Sequence, residues 1–194
     1  MAVAGYSSQM TYAEYLAFEG VSAEKHEFIN GEPHAMSEGT PVHARLQVRL
    51  GGRLDAALEG RRCASYGPDL RIYFAELDEG AYADASVLCG PLVPAPGDPN
   101  AATNPTVICE VLSPSTEAYD RGRKFEKYRA LPTVKEYVLV AQDRALVEVF
   151  RRDADSTWTL RTYGPGARVE LASIDVHIAV DDLYRGVLDV PEGG

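Results

Sequence analysis

Glu110 is the first residue in this sequence whose type is at odds with its surroundings. It sits in Val107-Ile-Cys-Glu-Val-Leu112, a run that is apolar on both faces and therefore reads as a central strand. A lone buried carboxylate is costly if it stays charged and unpaired, so a cation, a basic side chain or a proton must compensate it. Strand alternation predicts Ile108, Glu110 and Leu112 on one face, and Cys109 and Val111 on the other. A salt bridge to an arginine at the sheet end would satisfy Glu110. So would membership of a functional site, where buried ionisable groups gather.

Asp84 stands in a second candidate strand, Tyr82 to Cys89, between the small residues Ala83 and Ala85. Alone it reads equally well as a turn or strand-start aspartate. Paired with Glu110 on a neighbouring strand, it could hold a hard divalent cation. Carboxylate oxygens suit Mg2+ or Mn2+ over softer metals, at about 2.0–2.1 Å for Mg2+. Lys124 follows in the helix after the Glu110 strand, with Asp120, Lys124 and Tyr128 at i, i+4 and i+8. Asp120 and Lys124 could form an ion pair worth about 0.3–0.5 kcal/mol. Alternatively, the ammonium reaches back over the sheet towards a reacting water or a scissile phosphate. Arg121, Arg123 and Lys127 add positive charge to the same helix, as phosphate contacts or as a solvated face. Glu27 is a third candidate carboxylate, or a surface glutamate. His43 and Gln47 open a long helix, where a histidine caps, packs or touches substrate.

Other chemistries find no support. There is no phosphate-binding G-x-x-x-x-G-K-[ST] loop, no G-x-G-x-x-G and no G-x-S-x-G elbow. Histidines 26, 34, 43 and 177 lack the H-E-x-x-H spacing of zinc hydrolases. Ser113-Pro-Ser-Thr116 is rich in hydroxyls, but a strand break followed by a helix start explains it.

These residues need elements to position them. Thr11-Tyr-Ala-Glu14 is a capping box that opens a helix to about Phe18. Asn30-Gly31, between two short runs, predicts a type I′ hairpin. Leu46, Leu50, Leu54, Ala57 and Leu58 recur at helical spacing over 42–59. Strands are expected at 69–74, 82–89, 107–112 and 136–141, with a helix over 117–130 ended by Pro132. A β-meander follows over 145–151, 157–163, 167–171 and 174–179, with a last helical turn at 181–185. Residues 90–105 carry five prolines and read as a surface loop. The order predicts an α/β (α+β) fold, a mixed central sheet flanked by helices with an antiparallel tail.

A chain of 194 residues suits one domain, 1–194, and 45% hydrophobic residues suffice for a packed core. No apolar run approaches the roughly 20 residues of a membrane span. The short polar start predicts no signal peptide, and neither end carries a lipidation signal. The three cysteines, 63, 89 and 109, fit no metal spacing. They read as reduced thiols in a cytoplasmic, reducing compartment with no disulfide framework. The net charge of −10 argues against nonspecific coating of nucleic acid, which rests on basic side chains. It suits a site that gathers carboxylates around a metal.

Together YAEYLAF, EFINGE, His43, YADASVLC, CEVLSPST, Asp120-x-x-x-Lys124-x-x-x-Tyr128 and KEYVLV resemble the Uma-two family of the PD-(D/E)XK nuclease superfamily, over roughly 11–187. The resemblance implies a restriction-endonuclease-like core and a site of Glu27, Asp84, Glu110 and Lys124. The family usually has proline before the aspartate, where this chain has Ala83. A literal Pro68-Asp69 exists, but the surroundings of Asp84 match better. The superfamily lysine, normally two residues after the glutamate, is replaced by Leu112. The resemblance implies that the lysine has moved to the next helix as Lys124.

The expectation is therefore DNA phosphodiester hydrolysis. Asp84, Glu110 and Glu27 would hold Mg2+ or Mn2+, Lys124 would act on water or transition-state charge, and His43, Gln47, Arg121 and Arg123 would meet the substrate. A homodimer is expected, because cutting two strands calls for two sites. The alternatives are a non-catalytic nucleic-acid or protein-binding module of the same fold, and a metal-dependent phosphohydrolase acting on RNA or nucleotides.

Overall fold

A computed structural model describes residues 9–36 and 39–188. The expectation of no signal peptide concerns 1–9, all of which but Gln9 lies outside the described residues.

Thr11 caps the first helix, α1 (Tyr12–Glu19), with the full reciprocal capping box. The hairpin β1 (His26–Ile29) and β2 (Glu32–Ala35) turns at Asn30 and Gly31, both at positive φ as a type I′ turn demands. The long helix α2 (Pro41–Leu58) starts at the Thr40 cap with proline in its first turn. Leu46, Leu50, Leu54 and Leu58 form its buried stripe. Next come β3 (Cys63–Tyr66), β4 (Arg71–Phe74), β5 (Glu79–Tyr82), β6 (Ala85–Cys89), β7 (Pro94–Ala95), β8 (Asp98–Ala102) and β9 (Val107–Val111). A continuous helical segment then runs from α3 (Glu117–Tyr119) through a π-helical turn (Asp120–Lys124) into α4 (Phe125–Ala130). The chain ends with β10 (Glu136–Val140), β11 (Val147–Arg152), β12 (Trp158–Tyr163), β13 (Arg168–Leu171), β14 (Val176–Ala179) and α5 (Val180–Tyr184).

The main sheet has the order β12-β11-β10-β9-β6-β3, with β9 and β10 parallel and the other neighbours antiparallel. The expected mixed sheet with flanking helices is present. The leucine stripe of α2 packs with Cys109 and Val111 in one apolar cluster. Tyr128 of α4 packs with Ile108, Leu112, Tyr137 and Leu139 in another. The alternation expected along the Glu110 strand is what separates these two clusters.

Four expectations need correction. First, 82–89 is not one strand. β5 belongs to a second sheet, of order β2-β1-β5-β4-β8-β7, and the chain crosses to the main sheet at Ala83-Asp84. Aspartate is a poor strand former, and here it marks the change of sheet. Second, the proline-rich segment forms the hairpin β7–β8, turning at Gly97 with φ +74°. Pro94 is on an edge strand and Pro99 is near the turn, where a missing N–H is tolerated. Third, only β11 and β12 extend the main sheet, whereas β13 and β14 pair as a separate ribbon. Fourth, Cys63 and Cys89 are disulfide-bonded, so the reading of three free thiols fails. They lie directly opposite each other in the β3–β6 ladder, which brings their Cα atoms to 4.0 Å. A one-dimensional spacing could not reveal that register. Cys109 alone is free, and buried.

Thiol titration of the unfolded, unreduced protein should find one thiol rather than three. Reduction should lower the unfolding free energy by about 3.5 kcal/mol, the chain-entropy value for a loop of this length. Three titratable thiols in protein purified without reductant would contradict the bond.

Candidate functional site

Glu110, 3% exposed, lies near the C-terminal end of β9 and faces the helical segment 117–130. Lys124 Nζ stands 3.0 Å from its Oε1. The same ammonium is 3.3 Å from Glu27 Oε1 and 3.8 Å from Asp120 Oδ1. Glu27 comes from β1 in the second sheet, where its Oε1 accepts the Tyr82 N–H and its Oε2 accepts the Tyr119 hydroxyl. The two sheets thus each contribute one glutamate to a lysine carried by a helix.

Asp84 occupies the crossing between the sheets. Its neighbour Ala85 pairs with Cys109, which sets Asp84 beside Glu110. The Asp84 N–H donates to Glu110 Oε2 at 3.4 Å, and the Val111 N–H donates to Asp84 Oδ2 at 2.6 Å. From α2, Gln47 Nε2 donates to Asp84 Oδ1 at 2.9 Å, and His43 Nε2 lies 3.2 Å from Oδ2. His43 and Gln47 therefore fix the Asp84 carboxylate, and this explains why both lie at the N-terminal end of the α2 face. The hydrogen bond to Asp84 raises the His43 pKa above the ordinary imidazole value.

Glu27, Asp84, Glu110, Asp120, Lys124 and His43 all line one cavity of about 500 Å³, walled by the β1–β2 hairpin and the 117–130 helical segment. Burial pushes the Glu110 carboxyl well above the usual carboxylate range, against the pull of Lys124, while Asp84 and Asp120 add repulsion. Burial also opposes the charge on Lys124. Yet Glu110, Glu27 and Asp120 together hold its pKa well above the ordinary lysine value. One ammonium thus serves three carboxylates.

The sequence model of the family described as "Putative restriction endonuclease", Uma2, matches residues 12–181. This chain belongs to the Uma2 family. Two Synechocystis proteins, slr1290 and sll1609, both described as uncharacterized, are 36% and 32% identical to it. The alignments span 90% and 91% of this chain, and 90% and 100% of theirs. A crystal structure from Anabaena variabilis, described as "a putative nuclease belonging to DUF820", superposes with a TM-score of 0.73 at 19% identity. It covers 92% of this chain and 99% of its own. The Uma2 chain therefore has the fold of that protein.

Of the residues expected at the site, Glu27, Asp84, Glu110, Lys124, His43 and Arg123 line the cavity, and Gln47 is bonded to Asp84. Arg121 is not among the lining residues. It is held by Glu117 at 2.7 Å and Glu148 at 2.5 Å. Asp69, of the literal Pro-Asp pair, is an exposed partner of Lys25. Sequence reasoning did not place Asp120 and Tyr119 at the site. The Asp120-x-x-x-Lys124 spacing carried the signal for Asp120, but no feature of the sequence marked Tyr119. Among the described residues, no three of His, Cys, Asp or Glu are gathered as a ready-made set of metal ligands. The available donors are carboxylate oxygens, and Mg2+ commonly takes only one or two of these and keeps several waters.

The direction of the Glu110 shift fixes a pH dependence. Its folded-state pKa lies above the ordinary glutamate value of about 4.5, so the folded protein binds the extra proton. The corresponding stability is intact below about pH 4.5 and is lost as pH rises through the folded-state value. In chelator, Glu110→Gln should therefore gain stability relative to the native protein as pH rises from about 5 to 8. Urea denaturation measures this. A constant difference across that range would show that Glu110 ionises normally.

Proposed function

We propose that this protein is a metal-dependent endonuclease that hydrolyses phosphodiester bonds in DNA. One observation carries the reading: Glu27, Asp84, Glu110 and Lys124 meet in one cavity although they come from four separate segments of the chain. Four carboxylates, the fourth being Asp120, face three fixed cations there, Arg123, Lys124 and Lys127. Lys127 is already spent on Glu79, at 2.6 Å. The surplus of buried negative charge, in hard oxygen donors, is what a divalent cation would relieve. The family's description and that of the Anabaena protein support the same reading.

Asp84 and Glu110 would hold Mg2+ or Mn2+, with Glu27 assisting. The bound cation supplies Lewis acidity and neutralises charge on a phosphodiester. His43, Gln47 and the Val111 N–H keep the Asp84 carboxylate in one orientation, as partners of a metal ligand do. Lys124 orients the attacking water or stabilises the charge that develops on the phosphate. Arg123, on the rim, pairs with a neighbouring phosphate. The reading carries a cytoplasmic location, where DNA is found but where the Cys63–Cys89 disulfide would be uncommon, and a homodimer that presents two sites to two strands.

The binding-module alternative is favoured by one observation: the Lys124 ammonium already sits between Glu27 and Glu110, and among the described residues no set of three ligands is gathered. Calorimetric titration with Mg2+ and Mn2+ separates the two. Saturable binding that is lost in Asp84→Asn supports the nuclease, and its absence supports the module.

The decisive assay offers duplex DNA, single-stranded DNA, RNA and nucleotides across divalent metals. Duplex DNA should be cut only with metal. Glu110→Ala should abolish cleavage, and Lys124→Ala should keep DNA binding but lose about 10²–10³-fold in kcat. Turnover of RNA or nucleotides in preference would make the protein a phosphohydrolase. Native-rate cutting by purified Glu110→Ala would sink the assignment.

A further inference from the structure

The helical segment that carries Lys124 is not a plain α-helix. Asp120–Lys124 forms a π-turn inside it. Such turns are rare, occur mostly as single widened turns inside α-helices and are frequent at functional sites. Asp120 and Lys124, the first and last residues of this turn, are both buried, and the Lys124 ammonium stands 3.0 Å from Glu110 and 3.8 Å from Asp120. The widened turn therefore sets where the ammonium stands.

Among the described residues, one side chain outside the segment hydrogen-bonds the backbone of that turn. The hydroxyl of Tyr137 donates to the Asp120 backbone carbonyl at 2.9 Å. Tyr137 is fully buried in β10, and that strand pairs in parallel with β9, Tyr137 opposite Ile108 and Leu139 opposite Glu110. Tyr137 and Glu110 thus project from the same face of the same rigid sheet. The Tyr137 ring stacks on Phe125, the residue immediately after the π-turn, with centroids 5.0 Å apart. Tyr137 therefore touches the segment at both ends of the turn. Tyr128, the neighbouring buried tyrosine, has a hydroxyl with no hydrogen-bond partner among the described residues.

We propose that Tyr137 is a positioning residue for Lys124. Its hydroxyl ties the π-turn to the strand pair that carries Glu110, fixing the distance between ammonium and carboxylate. The importance of that distance for catalysis rests on the nuclease reading, but the tie itself does not. Without the hydroxyl the Asp120 carbonyl loses its partner from the sheet, the turn is free to close to α geometry, and Lys124 leaves its place among Glu27, Glu110 and Asp120.

The test reads Lys124 directly. Native protein and Tyr137→Phe are treated with the N-hydroxysuccinimide ester of acetic acid. Acylation of Lys124 is followed by peptide mass spectrometry against the exposed Lys135 as internal standard. Lys124 should be protected in the native protein and react at least about tenfold faster in Tyr137→Phe, the factor expected when one buried hydrogen bond no longer opposes local opening. Phe150→Leu loosens the same aromatic packing without touching the Asp120 carbonyl, and it should leave Lys124 protected. Should Tyr137→Phe not fold, deletion of Gly122 removes a residue from the π-turn and should unmask Lys124 in the same way. Where the native protein cuts DNA, Tyr137→Phe should lose about 10- to 100-fold in kcat at unchanged KM. Lys124 as protected in Tyr137→Phe as in the native protein, or equally unmasked in Phe150→Leu, overturns the proposal. The acylation result stands whether or not any nucleic acid is cut, so it separates failure of this inference from failure of the nuclease reading.

Discussion

The contact on which the site depends is that of the Lys124 ammonium with Glu110 and Glu27. Its side chain is 7% exposed and those of its two partners 3% and 10%. A buried ion pair is a poor source of stability, because desolvating both groups offsets most of their attraction. Removing one partner is nevertheless costly, about 3–5 kcal/mol, because the other charge is left buried. The cluster therefore acts as a constraint: β1, β9 and the π-turn must all arrive together or the fold carries stranded charges. What the chain gains is a fixed arrangement of charge rather than stability.

The second sheet meets this constraint with a polar core of its own. Arg71 is buried against Asp98 and donates to the Tyr82 hydroxyl from Nε at 3.0 Å and from Nη2 at 2.7 Å. Tyr12 donates to Asp98 at 2.8 Å. Tyr82 is thereby held at the end of β5, and its backbone N–H is the one that binds Glu27. Next along the chain come Ala83 and Asp84, where the polypeptide passes into the main sheet. A rigid network beneath the second sheet thus orients one glutamate and delivers the aspartate. Asp98 comes from the proline-rich segment, which therefore supports the site from a distance.

Some of this was legible in the sequence, and the reasons are specific. Glu110 declared itself because a carboxylate in an apolar strand needs a partner. The same signal was present at Glu136, at the start of a fully buried strand, yet its role differs. Glu136 accepts from the Ala172 and Ser173 N–H groups, the Ser173 hydroxyl and Arg151, so it is saturated and ties the chain before β14 to the sheet. Composition cannot tell a saturated carboxylate from one that shares its counter-ion; only the partners can. The sheet crossing at Ala83-Asp84 was hidden because residues on either side of it favour strands. The disulfide was hidden because it depends on the register between β3 and β6. The π-turn was hidden because Asp120, Lys124 and Tyr128 follow a spacing that suits an ordinary α-helix, and one extra backbone residue leaves that pattern unchanged.

The distribution of charge bears on how an acidic chain could meet a polyanion. Binding to a phosphate backbone draws on basic side chains that are free to release counter-ions. Around this cavity most are not free. Lys124 is committed to Glu27 and Glu110, Lys127 to Glu79, and Arg121 to Glu117 and Glu148. Arg123 is the cavity-lining cation that makes no ion pair among the described residues. With a net charge of −10, the protein gains little from long-range attraction to nucleic acid. On the reading proposed here, recognition then falls to the site itself. Asp84, Glu110 and Glu27 would hold a divalent cation there, and that cation would supply the positive charge that attracts phosphate. Substrate affinity would follow the metal more than the salt concentration, which sets this architecture apart from proteins that hold DNA through a basic groove.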